Sequence, residues 1–200
     1  MQVTAVILAG GRGTRMGGAD KGLVSYQGQA LIAHVIARLR PQVSQLIINA
    51  NRNLASYQAF GYPVVSDNNA DFDGPLAGML AGLTAAATDW VLTVPCDTPH
   101  LPTDLVARLQ QALHPVPAPT ENFGAAGQEH APQLAIACSL SGVHPICCLM
   151  PRHLANDLAA TLAAQQRKVS AWQSKFPHVL VDFADDQAFT NVNHADDLMP

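Results

Sequence analysis

The chain has 200 residues, of which 48% are hydrophobic and 13% are charged, so it is long and apolar enough for a globular core and is not a disordered chain. A formal net charge of -4 and a pI near 6.0 give no overall attraction to nucleic acid or to an anionic membrane, so neither is an expected partner. The first residues contain no Lys or Arg before Arg12 and no long apolar run, which argues against a signal peptide and predicts a cytoplasmic protein.

Strand-like and helix-like segments alternate through the first half of the chain. The pattern predicts strands at 3–9, 45–50, 62–67 and 89–97, and helices at 31–39, 53–60, 74–87 and 101–113. The first helix places five apolar side chains on one face: Leu31, Ile32, Val35, Ile36 and Leu39. Pro102 and Asp104 suit the first turn of the predicted helix at 101–113. This order predicts an α/β fold, with a mostly parallel sheet and helices on both faces.

The second half begins with a proline-rich surface connection at 114–122 and continues with different elements. Residues 133–140 and 143–150 are typical of a hairpin, with Ser141 and Gly142 at its turn. Helices are predicted at 152–166 and 169–176, and a final strand at 178–183.

A loop rich in glycine and basic residues follows the first predicted strand. Backbone N–H groups of such a loop can converge on phosphate oxygens at the carboxyl edge of a sheet. The residues concerned are Gly10, Gly11 and Gly13, with Arg12, Arg15 and Lys21 as cations. The loop is not a Walker A motif, because Leu23 rather than Ser or Thr follows Gly22, and Met16 breaks a GxGxxG pattern. These differences argue against a P-loop hydrolase and a dinucleotide oxidoreductase.

Asp97 follows the fourth predicted strand and is expected beside the end of the first. A carboxylate facing a cationic phosphate loop suits a Mg²⁺-bound nucleotide, because Mg²⁺ prefers oxygen ligands and substrate phosphates. The alternative is an aspartate that caps the turn before Thr98 and Pro99.

The four cysteines, Cys96, Cys138, Cys147 and Cys148, are most simply explained as small buried hydrophobic residues. A metal cluster of His144 with Cys147 and Cys148 is the alternative, although the CxxC spacing of such sites is missing.

The chain resembles the bacterial molybdenum cofactor guanylyltransferases in the order and separation of six motifs: "LAGGRGTRMGGADKG", "NAN", "SD", "GPLAGMLAGL", "PCDTPHLPTDL" and "NVN". The resemblance covers nearly the whole chain. It implies a single Rossmann-like nucleotidyltransferase domain over residues 1–200 whose largely parallel sheet includes an antiparallel strand. It also implies a reaction in which GTP and the molybdenum–molybdopterin cofactor give the guanine dinucleotide cofactor and pyrophosphate, with Mg²⁺ required and Mn²⁺ as a substitute.

The resemblance also assigns site residues. It implies GTP contacts for Leu8, Ala9, Gly10, Gly11, Lys21, Asn49, Asp67 and Asp97, with Asp97 also the metal ligand and Arg15 at phosphate. It implies a pterin side that includes His144, Arg167, Lys168, Asn191 and Asn193, although "QQRK" at 165–168 replaces the family's more usual glycine-containing turn. Residues 1–113 would then form a GTP-binding half and residues 114–200 an acceptor half.

Two other functions remain open from the sequence. One is a cytidylyltransferase of the same fold acting on molybdopterin or on a sugar or polyol phosphate, against which "LAGG" and "PCDTP" resemble the guanylyl branch. The other is a non-catalytic nucleotide-binding module, against which Lys21 and Asp97 occur together. The family's delivery role further implies transient contacts with cofactor-synthesis proteins and molybdoenzyme chaperones.

Overall fold

A computed structural model describes residues 1–10, 20–67, 74–114 and 131–192. Gly11, Arg15 and Asn193 among the predicted site residues, and most of the proline-rich connection, lie outside these ranges.

The strands form a seven-stranded sheet and a separate two-stranded ribbon. The large sheet contains β1 (Val3–Leu8), β4 (Gln45–Asn49), β5 (Val64–Val65), β6 (Trp90–Pro95), β7 (Leu134–Ser139), β8 (Gly142–Pro151) and β9 (His178–Asp182). The ribbon pairs β2 (Ser25–Tyr26) with β3 (Gln29–Ala30). The order across the large sheet is β5-β4-β1-β6-β8-β7-β9, and β8 is antiparallel to both of its neighbours. The predicted mostly parallel α/β sheet with one antiparallel strand is therefore confirmed.

Six helices cover this sheet within the described residues. They are α1 (Leu31–Leu39), α2 (Leu54–Gln58), α3 (Pro75–Ala85), α4 (Leu105–Leu113), α5 (Ala155–Ala163) and α6 (Val169–Gln173). Helices α1, α2 and α4 contribute to an apolar core on one face of the sheet, the first core. Helices α3, α5 and α6 contribute to the second core, on the other face. In β1, Val3, Ala5 and Ile7 belong to the first core and Val6 to the second, as the alternation of a strand requires. All five predicted apolar residues of α1 are buried.

Some predicted element bounds were wrong. The strand predicted at 62–67 is only Val64–Val65, because only these two residues pair with β4. Asp67, two residues later, is bound by a side-chain amide instead. The helix α4 begins at Leu105, so Pro102 and Asp104 precede its first turn, and Asp104 has non-helical torsion angles (φ -116, ψ 13). In the β7–β8 hairpin the two turn residues are Leu140 and Ser141, since Gly142 already pairs with Ser139. None of the helices in the described ranges has the length and apolar character needed to cross a membrane.

A close approach between α3 and β1 depends on glycine. A Cβ atom added to Gly82 would lie 2.6 Å from both Cγ atoms of Val6, which is closer than real contacts allow. The small residues of α3 therefore let this helix lie directly against the centre of the sheet.

We expect Gly82→Ala to lower the free energy of unfolding by about 1–3 kcal/mol through overpacking against Val6. This loss opposes the gain of about 1 kcal/mol that alanine brings to a helix interior. Chemical denaturation monitored by circular dichroism measures the difference. Thr84→Ala, at an exposed position of the same helix, is the control and should stay within about 0.5 kcal/mol of wild type. A Gly82→Ala protein more stable than wild type would contradict the close packing.

Candidate functional site

Three parallel strands end together at one edge of the sheet. Leu8, the last residue of β1, is in register with Asn49 of β4 and with Pro95 of β6. The hydrogen bonds continue past the strand ends, from Ala9 N to Asn49 O (2.8 Å) and from Cys96 N to Leu8 O (3.2 Å). Because ligands of open α/β sheets bind at this edge, the predicted site residues next to these positions are brought together where such a site is expected.

Lys21 and Asp97 form an ion pair at this edge. The Lys21 ammonium donates to Asp97 Oδ2, and the two side chains are 25% and 13% exposed. Lys21 begins a short 3₁₀ turn (Lys21–Leu23), and Asp97 lies two residues beyond β6. Asp97 thus lies beside the end of β1, as expected from the sequence, and Lys21 is paired with it there.

The second oxygen of Asp97 is suited to a metal ion. Asp97 Oδ1 is buried and has no hydrogen-bond partner among the described residues. Leaving a buried carboxylate oxygen without a partner costs free energy, and a hard divalent cation that binds the oxygen removes this cost. The donor chemistry at Asp97 therefore fits the divalent metal that the sequence suggests, with Oδ2 still available to Lys21.

A second carboxylate, Asp67, lies two residues beyond β5 and beside the end of β4, where side-chain amides hold it. Asp67 Oδ1 accepts a hydrogen bond from Asn49 Nδ2 (2.8 Å), and Asp67 Oδ2 accepts one from Asn51 Nδ2 (2.7 Å). The Asp67 backbone N–H donates in turn to Asn51 Oδ1 (2.9 Å). Asn49 is 1% exposed, whereas Asp67 is half-buried, so the amides fix a carboxylate that remains accessible to a ligand. Asn51, the second Asn of "NAN", belongs to this hydrogen-bonded group and was not predicted from the sequence.

Glycines leave space beside this amide pair. A Cβ at Gly10 would lie 3.2 Å from Asn49 Oδ1, and a Cβ at Gly78 would lie only 2.3 Å from the same atom. Gly10 thus lies against Asn49, and Gly78 gives Asn49 room to turn toward Asp67. The motif "GPLAGMLAGL" contained Gly78, but only the packing shows why the position needs glycine.

The predicted acceptor side contains a hydrogen-bonded group around His144. The Ser139 hydroxyl donates to Asp186 Oδ1 (2.6 Å), and His144 Nε2 lies 2.8 Å from the same hydroxyl oxygen. Since the only proton of Ser139 is used by Asp186, Nε2 is the protonated nitrogen of His144 and Nδ1 is its acceptor. Phe189 stacks on the imidazole with centroids 4.4 Å apart. Sequence reasoning found His144 but missed Ser139 and Asp186, because their contact joins residues 47 positions apart.

The other predicted acceptor residues are placed differently. Val192 N donates to Asp97 O (3.0 Å), so exposed Asn191 lies close to Asp97. Arg167 and Lys168 are exposed in the turn that leads into α6. The buried Gln173 of α6 donates to Pro145 O (2.8 Å), which ties this helix to the residue after His144.

The strand geometry decides whether Cys147 and Cys148 are buried hydrophobic residues or metal ligands together with His144. Cys147 and Cys148 are adjacent in β8 and belong to the cores on opposite faces of the sheet. Burial raises the pKa of Cys148 to about 12, so the thiol stays protonated. Within the described residues no group of three His, Cys, Asp or Glu side chains could hold a metal ion, so the cluster with His144 is wrong.

Comparison with known proteins identifies the family. The sequence profile of the MobA-like NTP transferase domain matches residues 5–179. The chain belongs to this family. A protein of Cupriavidus taiwanensis named molybdenum cofactor guanylyltransferase is 48% identical over 98% of this chain and 94% of its own length.

Solved structures show the same fold. The molybdopterin-guanine dinucleotide biosynthesis protein A of Archaeoglobus fulgidus superposes with a TM-score of 0.72 at 20% identity, over 98% of this chain and 95% of its own. A Mycobacterium tuberculosis protein in complex with manganese gives 0.63 at 18% identity, over 98% and 96%. The resemblance stated from the sequence is thereby confirmed at the level of family, fold and enzyme class.

We expect the stability of the protein to depend on His144 below neutral pH. Burial lowers the pKa of His144 below its ordinary value near 6.5, although the Asp186 carboxylate opposes this shift. A histidine with a lowered pKa in the folded state stabilises the fold fully above about pH 6.5, and this contribution is lost as the pH falls toward the folded-state pKa. Urea denaturation of wild type and His144→Gln at several pH values from about 7.5 to 5 measures this effect. As the pH falls, the unfolding free energy of wild type should decrease relative to that of His144→Gln. Parallel pH profiles would contradict this assignment.

Proposed function

We propose that this protein transfers GMP from GTP to the molybdenum–molybdopterin cofactor, which forms the guanine dinucleotide cofactor and pyrophosphate. The observation that carries the proposal is the Lys21–Asp97 pair at the carboxyl edge of the sheet, where the buried Asp97 Oδ1 has no hydrogen-bond partner among the described residues. The names of the close relatives support the choice of nucleotide and acceptor.

The chemistry requires positioning more than proton transfer. A terminal phosphate oxygen of the acceptor attacks the α-phosphorus of GTP in line, a new P–O bond forms, and the bond to the β-phosphate oxygen breaks. The electron pair leaves with pyrophosphate. Because the attacking oxygen is already anionic, no general base is needed, and catalysis depends on orientation and on neutralising charge. The ammonium of Lys21 has three donors, so it can keep Asp97 and still reach a phosphate oxygen. Arg15 is proposed to add a second positive charge at the phosphates.

We assign the metal to Asp97. Magnesium, or manganese as a substitute, would be held through Oδ1 and would neutralise negative charge on the GTP phosphates when bound. The burial of that oxygen, without a hydrogen-bond partner in the part of the chain that the structure describes, supports the assignment.

The nucleotide half is proposed to span residues 1–113. GTP would contact the backbone of Leu8, Ala9, Gly10 and Gly11, together with Lys21, Asn49, Asp67 and Asp97. Asp67 supports this assignment best, because its two amide donors leave lone pairs on a partly accessible carboxylate, and guanine presents N–H donors to such a group.

The acceptor half is proposed to span residues 114–200 in the same domain. Its pterin-side residues would be His144, Arg167, Lys168, Asn191 and Asn193. The fixed tautomer of His144 gives it an acceptor at Nδ1, and the bond from Val192 to Asp97 brings the Asn191 segment close to the phosphates. We further propose a cytoplasmic enzyme that meets cofactor-synthesis proteins and molybdoenzyme chaperones only transiently.

The function is tested by incubating the pure protein with molybdopterin cofactor, Mg²⁺ and each of the four nucleoside triphosphates in turn. The expected result is a guanine dinucleotide, identified by its mass, with pyrophosphate released only when the acceptor is present. A cytosine dinucleotide would replace the proposal with the cytidylyl alternative. Binding of GTP without any transfer would identify a nucleotide-binding module.

We expect Asp97→Asn to reduce turnover at least ~10²-fold, or about 2.7 kcal/mol of barrier, because the shape remains but the anionic metal ligand is lost. Initial rates measured against Mg²⁺ concentration give the effect. Asp104→Asn, an exposed aspartate that precedes α4, is the control and should behave as wild type. A near-normal rate at limiting Mg²⁺ would remove Asp97 from the metal site.

We expect Lys21→Ala to lose roughly 2 to 4 kcal/mol of transition-state stabilisation, because the ammonium opposes charge that develops during transfer. The effect should appear in kcat measured at saturating GTP. Lys175→Ala is the matched control, since that lysine pairs with Asp157 of α5. If only the KM for GTP increased, Lys21 would bind the ground state and its proposed role would be wrong.

A further inference from the structure

A buried carboxylate lies directly before the catalytic lysine. The Asp20 side chain is 4% exposed and accepts hydrogen bonds from the Tyr57 hydroxyl (2.5 Å) and from Asn53 Nδ2 (3.0 Å). Arg52 Nε lies 3.5 Å from Asp20 Oδ2. All three partners come from the loop after β4 and the helix α2 that follows it.

These contacts fix Asp20 in place. A buried carboxylate without partners is very costly, so its position is determined by the groups that stabilise it. Burial and the bond to Asp20 both raise the pKa of the Tyr57 hydroxyl, which therefore remains a donor at any working pH. The Asp20 carbonyl also accepts a hydrogen bond from Leu23 N (2.9 Å), which closes the turn that contains Lys21.

The same tyrosine packs under that turn. A Cβ at Gly22 would lie 2.6 Å from the Tyr57 hydroxyl oxygen and 3.4 Å from Cys96 Sγ. Gly22 is therefore enclosed between α2 and the residue that follows β6. Lys21 thus stands between two anchored neighbours, with its side chain directed at Asp97.

We infer that Asp20 is a positioning residue, which holds Lys21 opposite Asp97 through its bonds to Tyr57 and Asn53. Asp20 acts through the backbone of Lys21 and not on the substrate, and the catalytic consequence of this inference rests on the proposed function of Lys21. The loop that supports Asp20 also supports the second carboxylate of the site, because Asn51 binds Asp67 and Asn53 binds Asp20.

Two mild variants test the inference. Tyr57→Phe keeps the ring and removes one donor to Asp20. Asn53→Gly removes the other donor and suits the left-handed backbone there (φ 50). Each should lower kcat roughly tenfold, the size expected from a small misplacement of a catalytic group, while the Kd for Mg²⁺-bound GTP changes less than about twofold. Tyr62→Phe, at a half-buried tyrosine, is the control, and thermal unfolding verifies that each variant is folded.

A double-mutant cycle separates positioning from a structural effect. If Asp20 acts through Lys21, Tyr57→Phe should cause no further loss of kcat in a Lys21→Ala background. An undiminished tenfold loss in that background would overturn the inference, as would unchanged kcat in both single variants.

A measurement that does not depend on enzyme activity tests the inference separately from the proposed function. The chain contains three lysines, Lys21, Lys168 and Lys175, so the side-chain NMR signals of a lysine-labelled protein are assigned by single substitutions. Tyr57→Phe and Asn53→Gly should shift the Lys21 signal, as Asp97→Asn should also do, and leave the other two unchanged. An unshifted Lys21 signal would overturn the inference. If wild type releases no pyrophosphate with any nucleotide, the proposed function fails, and the NMR result still decides whether Asp20 positions Lys21.

Discussion

The parallel pairing of β1 with both β4 and β6 is the constraint on which the rest of the site depends. Side chains from three distant parts of the sequence meet because the three strands end in register, at Leu8, Asn49 and Pro95. The close approach of α3 holds this centre from one side, and the first core holds it from the other. A shift of one residue in either pairing would move Asn49 or Asp97 to the opposite face of the sheet.

The antiparallel strand β8 explains how the second half of the chain reaches the same edge. Because it runs opposite to β6, it is the beginning of β8, with His144, that lies toward the end of β6. The segment 185–192 then returns from beyond β9 and contacts both regions, through Asp186 at Ser139 and through Val192 at Asp97. One continuous sheet therefore presents residues from both halves of the chain at the same edge.

Sequence reasoning succeeded where the signal was local or carried by motifs. The periodicity of α1 gave its bounds and its buried face, and Asp97 could be placed beside β1 because a βαβ order implies parallel neighbours. It failed at the edge strand β5, where pairing rather than propensity sets the length. It also missed Asp20 and Tyr57, whose importance lies in a contact between separate segments and in the burial of a charge. No local pattern encodes such a contact.

The bond from Val192 to Asp97 has a practical consequence for handling the protein. The eight residues that follow Val192 span at most roughly 29 Å when fully extended. An affinity tag attached after Pro200 would thus begin no farther than this from Val192, which is bonded to Asp97 at the proposed site. Met1 lies at the other end of β1, on the amino edge of the sheet, which makes that terminus the better position for tags, fluorophores or surface immobilisation.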